Sequence, residues 1–437
     1  MRNYKGVPMS HQNLFNRFRT SCISYGTTAL FHVSAFLKWV FFGLVTGVIV
    51  GGAGACFSLS LSWANAARAA HPSLLLALPL AGLAIVFLYR FLNDKNDSGT
   101  NMVIASIQSS SEIPIQMAPS IFLSTILTQL CGGSAGREGA ALQLGGSIAN
   151  RLGHLFHFDD NSRHTIIMCG MSAGFAALFG TPLASAVFSM EVISIGIMHY
   201  SALVPCVVSS YTAYFIARFF HCSADAFPVS GIPAPDPLSL LRILIFGAAA
   251  ALVSILFCII LHFAEHTYKK LFSNAYVRIF TAGCLVAALA ALLHTGRYLG
   301  SGMTLIDSIF EEGHAYPQDF LLKILFTALT LGAGFKGGEI VPSLTIGAAF
   351  GALLSPVLGL PSSLTAACGM AGVFCGVTNC PITSLLISFE LFGFEGMPYY
   401  LITIAASYML SGRYGLYRAQ KIIYSKTETR YINEKVH

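Results

Sequence analysis

The stretch Gly132-Gly-Ser-Ala-Gly-Arg-Glu-Gly-Ala-Ala-Leu-Gln-Leu-Gly-Gly146 places two charged residues, Arg137 and Glu138, inside a run of glycine and apolar residues. The residues that follow predict a helix, so Glu138 falls at a helix N-terminus behind a glycine-rich loop. Backbone N–H groups are unpaired at such an end, and the helix dipole favours negative charge there. The stretch therefore predicts a place that holds an anion, or a carboxylate in the position of one.

The composition indicates a membrane protein. The chain has 437 residues, of which 55% are hydrophobic and only 10% are charged. Soluble globular proteins carry about 25% charged residues, so we expect a polytopic, all-α membrane protein within the lipid bilayer. Many apolar segments are shorter than the ~20 residues that cross a bilayer. Such segments predict broken and re-entrant helices, whose ends are buried in protein or line a wet cavity.

Charge and cysteine usage narrow the class further. Basic residues dominate both ends of the chain, and the first acidic residue is Asp94, so both termini are predicted to be cytoplasmic. The net charge of +6 lies in these flanks and does not indicate a nucleic-acid partner. The eleven cysteines are scattered without metal-ligand spacing, so we expect no metal and no cofactor. No nucleophile–base or zinc-protease motif is present, which argues against an enzyme.

Hydropathy divides the chain into five predicted segments. Residues 1–34 form a cytoplasmic N-terminal segment with an interfacial helix, and residues 35–220 form a first transmembrane repeat. Residues 221–239, which are rich in proline, connect it to a second transmembrane repeat over 240–411. Residues 412–437 are expected to form a C-terminal helix and a short cytoplasmic tail without a regulatory domain.

The two halves share sequence motifs. Cys169–Phe175 matches Cys368–Phe374, and Thr181–Glu191 matches Cys380–Glu390, with the same offset (374 − 175 and 390 − 191, both 199). Duplicated halves in a membrane protein are typical of transporters and channels, which bind substrate between discontinuous helices at the interface of the halves.

The opening stretch also has a partner in the second half. It is Gly332-Ala-Gly-Phe-Lys-Gly-Gly-Glu-Ile-Val-Pro342, which leads to Gly347 and contains a second acid, Glu339. Aligning Gly145 with Gly347 gives an offset of 202 (347 − 145). The two glycine-rich loops, one in each half, are the predicted site.

These motifs resemble those of one family. Gly136-Arg-Glu-Gly-Ala140 resembles the G-[KR]-E-G-P motif of the CLC family of chloride channels and proton-coupled anion transporters. Phe179-Gly-Thr-Pro-Leu-Ala184 resembles that family's F-N-A-P-L-A segment, and Pro381–Glu390 resembles its second such segment. The resemblance covers roughly residues 35–425. It implies a CLC-type inverted repeat in a homodimer.

Departures from the common pattern resemble the fluoride branch of that family. Ser98-Gly-Thr-Asn-Met102 replaces G-S-G-I-P, Gly338-Glu-Ile-Val-Pro342 replaces G-x-F-x-P, and Val192 stands where many members carry a proton-transferring carboxylate. This resemblance implies fluoride export by fluoride/proton antiport in the bacterial inner membrane. The alternative is a chloride channel or chloride/proton exchanger of the same family, and antiporter versus channel stays open.

The resemblance also implies roles for particular residues. Glu138 is the gating and proton-carrying carboxylate, and Glu339 is the second proton carrier, since Val192 cannot be one. The predicted anion pathway comprises Gly136, Arg137, Gly139, Asn101, Met102, Ile340, Val341 and Tyr417.

Other interpretations stay open for several of these residues. Glu138 can form a salt bridge to Arg137, Glu339 can pair with Lys336 on one helical turn, and Met102 can be plain packing. Tyr414 rivals Tyr417 as the inner-gate tyrosine. Glu191 and Glu390 are interpreted as structural residues that accept hydrogen bonds from loop N–H groups. Ala140 stands where most of the family has proline, and we assign it no consequence.

Overall fold

The computed structural model describes residues 11–92, 98–109, 111–222 and 225–437, with side chains from residue 29 onward. These residues form sixteen α-helices, two short 3-10 helices and three strands. In the first half the helices are α1 His11–Ala70, α2 Leu78–Phe91, α3 Thr100–Ser109, α4 Met117–Leu130, α5 Glu138–Leu155, α6 Asp160–Phe179, α7 Pro182–Glu191 and α8 Leu203–Phe219. In the second half they are α9 Pro237–Leu271, α10 Ala275–Leu292, α11 Met303–Glu312, α12 Asp319–Gly332, α13 Ile340–Leu358, α14 Ser362–Thr378, α15 Pro381–Phe392 and α16 Met397–Leu410. The 3-10 helices are Pro72–Ala77 and Tyr200–Ala202, and the strands are β1 Ser194–Ile195, β2 Lys421–Tyr424 and β3 Tyr431–Lys435.

Helix lengths agree with the predicted mixture of spanning and broken helices. Within the described residues, six helical segments are long and apolar enough to cross a membrane. Four further apolar helices, α4, α14, α15 and α16, have only 10–17 residues. The chain is a multi-pass membrane protein, and the predicted all-α class is confirmed for the membrane part.

Two helix pairs, one in each half, contain the same close glycine contact. A β-carbon on Gly145 would lie 2.0 Å from the carbonyl oxygen of Gly170, and one on Gly347 would lie 2.2 Å from that of Gly369. Helix α5 therefore packs on α6 as α13 packs on α14, with backbones too close for any side chain. The predicted duplication is confirmed by this repeated contact.

Equivalent helices of the two halves bind one another reciprocally. The Glu191 carboxylate, at the end of α7, accepts hydrogen bonds from the backbone N–H groups of Ile382 (3.0 Å) and Thr383 (2.8 Å) at the start of α15. The Glu390 carboxylate in α15 accepts from Leu183 (3.0 Å) and Ala184 (2.9 Å) at the start of α7. Each acid satisfies N–H groups that the helix itself cannot pair, which confirms their structural interpretation. This head-to-tail exchange is the two-fold relation expected of inverted repeats.

The C-terminal segment differs from the prediction. Residues 412–437 contain no helix, and the predicted C-terminal helix is wrong. Strand β2 pairs in parallel with β1, which follows α7, and antiparallel with β3. The β-branched residues Ile195, Ile422 and Val436 form a small buried cluster there, a packing that favours strands over a helix.

Two predicted boundaries fall inside longer elements. Helix α1 runs without a break from His11 to Ala70, so the predicted interfacial helix of residues 1–34 and the start of the first predicted repeat belong to one helix. Helix α9 begins at Pro237, within the predicted connection 221–239, where the Asp236 carboxylate accepts hydrogen bonds from the N–H groups of Leu238 and Ser239. Residues 1–10, which belong to the predicted N-terminal segment, and residues 93–97, between α2 and α3, lie outside the described residues.

We predict that Gly170→Ala destabilises the fold, because the new β-carbon would lie 2.2 Å from the Gly145 carbonyl oxygen and 2.4 Å from the Ala149 β-carbon. Overpacking of this kind costs about 1–3 kcal/mol, which thermal unfolding in detergent should report as a lower Tm. Gly52→Ala is the matched control, because nothing lies within 4 Å of its β-carbon position. That change should be neutral or slightly stabilising. Equal effects of the two changes would contradict the packing argument.

Candidate functional site

The two predicted loops meet through backbone hydrogen bonds. The Gly136 N–H donates to the Gly338 carbonyl oxygen at 2.7 Å, and the Gly338 N–H donates to the Gly136 carbonyl oxygen at 2.9 Å. This antiparallel pair joins the residues just before α5 and α13, so the N-termini of the two helices meet. Unpaired N–H groups and positive dipole ends of both helices thus converge on one place.

The pairing positions leave little room for a β-carbon, least of all at Gly338. A β-carbon on Gly338 would lie 2.6 Å from the backbone nitrogen of Gly139, and one on Gly136 would lie 3.0 Å from the Gly338 carbonyl oxygen. The glycine-rich composition of both loops follows from this close approach of two backbones.

Glu138 is fully buried at the start of α5. Its Oε2 accepts a hydrogen bond from the Arg137 backbone N–H at 3.0 Å, and its Oε1 lies 3.5 Å from the Arg137 side-chain Nε. The predicted salt bridge to Arg137 is therefore present, but among the described residues Oε1 accepts no hydrogen bond. A buried carboxylate with one under-satisfied oxygen is costly in a membrane, and such residues are typically functional.

Arg137 also binds an acid that sequence reasoning missed. Its Nη2 lies 2.8 Å from the Asp225 Oδ2, and both side chains are largely buried, at 15% and 13% exposed. Asp225 lies in the segment between α8 and α9, which was predicted only as a connection. No spacing or motif in the sequence joins it to Arg137, since 88 residues separate them.

Two cavities, each of about 520 Å³, border the paired loops. The first, here the Arg137 cavity, is lined by residues that include Arg137, Asp225, Arg68 and Asp307. The second, here the Tyr417 cavity, is lined by residues that include Glu339, Tyr417, Asn101, Gln143, Gly337 and Arg418. No residue lines both cavities, and the paired loops contribute residues to each. Arg137 on one cavity and Glu339 on the other are the residues next to Glu138 and Gly338, so the glycine pair lies between the two cavities.

Glu339 and Tyr417 lie together on the Tyr417 cavity. The Glu339 Oε2 lies 3.5 Å from the position of a β-carbon on Gly139, which places the second acid beside the loop of the first. The Lys336 ammonium, the alternative partner of Glu339, lies 4.3 Å from the centre of the Tyr89 ring. Tyr417 is 1% exposed, and its hydroxyl has no hydrogen-bond partner among the described residues.

The rival tyrosine lies elsewhere. Tyr414 is 36% exposed and does not line the Tyr417 cavity. Its carbonyl oxygen accepts a hydrogen bond from the Asn379 side chain at 3.1 Å, which is a structural contact at the end of α14. Between these two tyrosines, the geometry therefore favours Tyr417 as the one that reaches the cavity.

The other predicted pathway residues separate into two groups. Asn101 lines the Tyr417 cavity, and its Oδ1 accepts a hydrogen bond from the Ala419 N–H at 2.9 Å. Ile340 and Val341 are buried in the hydrophobic core, Met102 is partly buried and packs against that core, and none of the three lines either cavity. These contacts agree with the alternative interpretation of Met102 as a packing residue.

Two polar residues beside Gly139 were also missed. The Thr100 Oγ1 donates to the Gly139 carbonyl oxygen at 3.4 Å, and the Gln143 Nε2 donates to the Thr100 Oγ1 at 3.3 Å. The sequence could have indicated Gln143, because it is a polar side chain in an otherwise apolar stretch of α5, five residues after Glu138. Both residues line the Tyr417 cavity.

A duplicated membrane fold in which two helix N-termini meet beside a buried carboxylate defines a membrane transport protein for a small anion. The family model described as voltage gated chloride channel matches residues 80–412. The chain therefore belongs to the CLC family of anion channels and transporters, as the sequence motifs predicted, and the predicted class of activity is confirmed with it.

Similar proteins support this assignment. The chloride/fluoride channel protein of Pseudomonas syringae pv. tomato is 37% identical over 396 residues, which cover 89% of this chain and 87% of that protein. A crystal structure of a CLC-type fluoride/proton antiporter is 35% identical, with a TM-score of 0.85, and covers 88% of this chain and 98% of its own. A slow cyanobacterial Cl⁻/H⁺ antiporter, 21% identical with a TM-score of 0.72 over 86% of this chain and 94% of its own, shares the fold.

We predict that Gly338→Ala abolishes the paired-loop geometry, because its β-carbon would lie 2.6 Å from the Gly139 nitrogen. Anion efflux from liposomes should fall by about tenfold or more, the effect of at least ~1.4 kcal/mol of distortion at the site. The control is Gly296→Ala, whose β-carbon would have its nearest neighbour at 3.8 Å. Normal anion efflux by the Gly338→Ala protein would show that transport does not require the glycine pair.

Proposed function

We propose that this protein exports fluoride in exchange for protons, with Glu138 as the gate and proton carrier. The observation that carries the proposal is the position of Glu138, fully buried at the meeting point of two helix N-termini, between Arg137 on one cavity and Gly139, beside Glu339 of the other cavity. As a carboxylate it occupies the place of an anion. As a neutral acid it leaves that place to an anion, so one group exchanges a proton against an anion.

Glu339 is the second proton carrier in this proposal. It lies beside Gly139 and on the wall of the Tyr417 cavity, and Val192, fully buried in the core, has no titratable group. A proton passes between the Tyr417 cavity and Glu138 by way of Glu339. Tyr417 and the loop N–H groups donate hydrogen bonds to the anion on the same side, because a phenol O–H and backbone N–H are good donors to an anion.

Fluoride is the proposed substrate for two reasons. The fluoride/proton antiporter and the chloride/fluoride channel protein match this chain over most of its length, at 35% and 37% identity. The second residue of Ser98-Gly-Thr-Asn-Met102 is Gly99, which has no hydroxyl, whereas the G-S-G-I-P motif that this stretch replaces has serine there. A chloride channel or chloride/proton exchanger is the competing function.

Proton antiport strengthens export. Efflux of an anion and uptake of a proton each move charge in the direction that an inside-negative potential favours. Each elementary charge contributes about 2.3 kcal/mol per 100 mV, so coupling the two flows steepens the fluoride gradient that can be maintained. The proposed setting is the bacterial inner membrane, with a homodimer, two cytoplasmic termini and the Tyr417 cavity open to the cytoplasm.

The test of this function is purified protein in liposomes, with fluoride and chloride electrodes read beside a pH-sensitive dye. We expect fluoride efflux to drive proton uptake, with a much smaller chloride flux. Glu138→Gln should abolish proton uptake, because the amide cannot carry a proton. Glu112→Gln, which removes a carboxylate that is 72% exposed, should behave like the unaltered protein. Proton uptake retained in Glu138→Gln would rule out the gate, and equal chloride flux would favour the competing function.

We further predict that Glu339→Gln uncouples the two flows. Fluoride-driven proton uptake should vanish while some fluoride efflux persists, because the anion position at Glu138 is intact. Glu265→Gln is the control, since Glu265 lines the same cavity but is paired with Lys269 at 2.6 Å. Undiminished proton uptake in Glu339→Gln would assign this acid to a structural pair with Lys336.

A further inference from the structure

The Arg137 cavity contains an acid that the proposed transport cycle does not use. Asp225 Oδ2 lies 2.8 Å from the Arg137 Nη2, whereas Glu138 Oε1 lies 3.5 Å from the Arg137 Nε. One guanidinium therefore lies between two carboxylates, and the better contact is with Asp225. The Arg137 Nε donates no hydrogen bond among the described residues. The contact with Glu138 is thus a loose ion pair, while the contact with Asp225 is a close, charge-assisted hydrogen bond.

Few charged residues line the Arg137 cavity. Helices α3 and α4, which pack on α5, carry no charged residue. Besides Arg137 and Asp225, the charged residues that line the Arg137 cavity are Arg68 on α1 and Asp307 on α11, and Lys323 on α12 contacts Ser134 in the loop before α5. Helix α6 also packs on α5, but its Arg163 contacts Gly153, fifteen residues after Glu138. The titratable groups on the Tyr417 cavity are Glu339, Tyr417, Lys336, His262, Glu265, Lys269, Arg278 and Arg418. Arg68 donates to the Gln129 carbonyl oxygen, and Lys323 donates to the Ser134 hydroxyl and two carbonyl oxygens. Among the described residues, only Asp225 and Glu138 form ion pairs with Arg137.

We propose that Asp225 is a positioning residue that sets the pH range of transport by holding the Arg137 guanidinium away from the Glu138 carboxylate. The inference rests on the proposed gating role of Glu138. By pairing with Asp225, the guanidinium keeps a fixed place at the cavity wall, and its charge is partly neutralised. Glu138 then gives up its closed, anionic state more readily than it would beside an unshared arginine.

Removal of the Asp225 charge is expected to shift the pH dependence of transport in one direction. In Asp225→Asn the guanidinium keeps only one anionic partner, Glu138, and turns towards it. The carboxylate form, which occupies the anion position, is then favoured, so the gate opens only at lower pH. The pH of half-maximal fluoride/proton exchange should move down by roughly one unit, the usual effect of an opposite charge within a few Å. Asp225→Glu, which keeps the charge, should restore the original midpoint.

The experiment is a pH profile of exchange in liposomes for the unaltered protein, Asp225→Asn, Asp225→Glu and Asp307→Asn. Asp307 is the matched control, because it lines the same cavity without an ion pair to Arg137. A smaller shift in Asp307→Asn than in Asp225→Asn supports the pairing. Equal shifts in the two, or no shift in Asp225→Asn, would overturn it. A purely structural role predicts a lower rate at every pH with an unchanged midpoint.

A second comparison keeps the test decisive if Asp225→Asn is not recovered as folded protein. Arg137→Gln and the double variant Arg137→Gln/Asp225→Asn must share one midpoint if Asp225 acts through Arg137. Different midpoints contradict the proposal. Glu138→Gln in the same assay separates the two hypotheses. Proton uptake retained in Glu138→Gln would contradict the gating role of Glu138. Proton uptake lost in Glu138→Gln, together with an unchanged pH midpoint in Asp225→Asn, would contradict only the proposed role of Asp225.

Discussion

The two backbone hydrogen bonds between Gly136 and Gly338 are the contact on which the site depends. They tie one repeat to the other where two helices begin, so the N–H groups of both helices face a shared place. A β-carbon on Gly338 would lie 2.6 Å from the Gly139 nitrogen, so close backbone packing alone requires glycine at this position, independently of transport. A site made by two chain segments in this way exists only when both halves are folded and docked.

The membrane explains why the starts of α7 and α15 each have a carboxylate acceptor from the other repeat. Lipid cannot satisfy free N–H groups, so a short helix that begins inside the bilayer needs an acceptor from the protein. Glu191 and Glu390 supply it reciprocally for α15 and α7. The same exchange holds the two repeats in register at a second place. The glycine pair is therefore not the only contact that aligns the two repeats among the described residues.

Local motifs predicted the parts of the structure that depend on local chemistry. The duplication, the helix start at Glu138 and the position of Glu339 followed from glycine spacing and matched segments. Asp225 did not, because its partner is 88 residues away and nothing local marks an ion pair across that distance. The C-terminal strands were also missed, since β2 pairs with a two-residue strand after α7 that has no signal of its own. The resemblance predicts Met102 on the ion path, and that stays a prediction, since the structure shows only that its partly buried side chain packs against the core.

Duplication alone would make the two loops alike, and their difference has a simple origin. Gly136 pairs with Gly338 at the same offset as Gly145 and Gly347 (338 − 136 and 347 − 145, both 202), so the equivalent of Glu138 is Ile340. The second acid, Glu339, is one residue earlier, and one residue turns a side chain by about 100° around a helix. Ile340 is fully buried, whereas Glu339 lines the Tyr417 cavity. Two acids at equivalent positions would place like charges together at the two-fold axis, a costly arrangement. The shift of one residue instead separates a buried acid at a helix N-terminus, Glu138, from an acid on the cavity wall, Glu339, and the proposed proton transfer between them depends on this asymmetry.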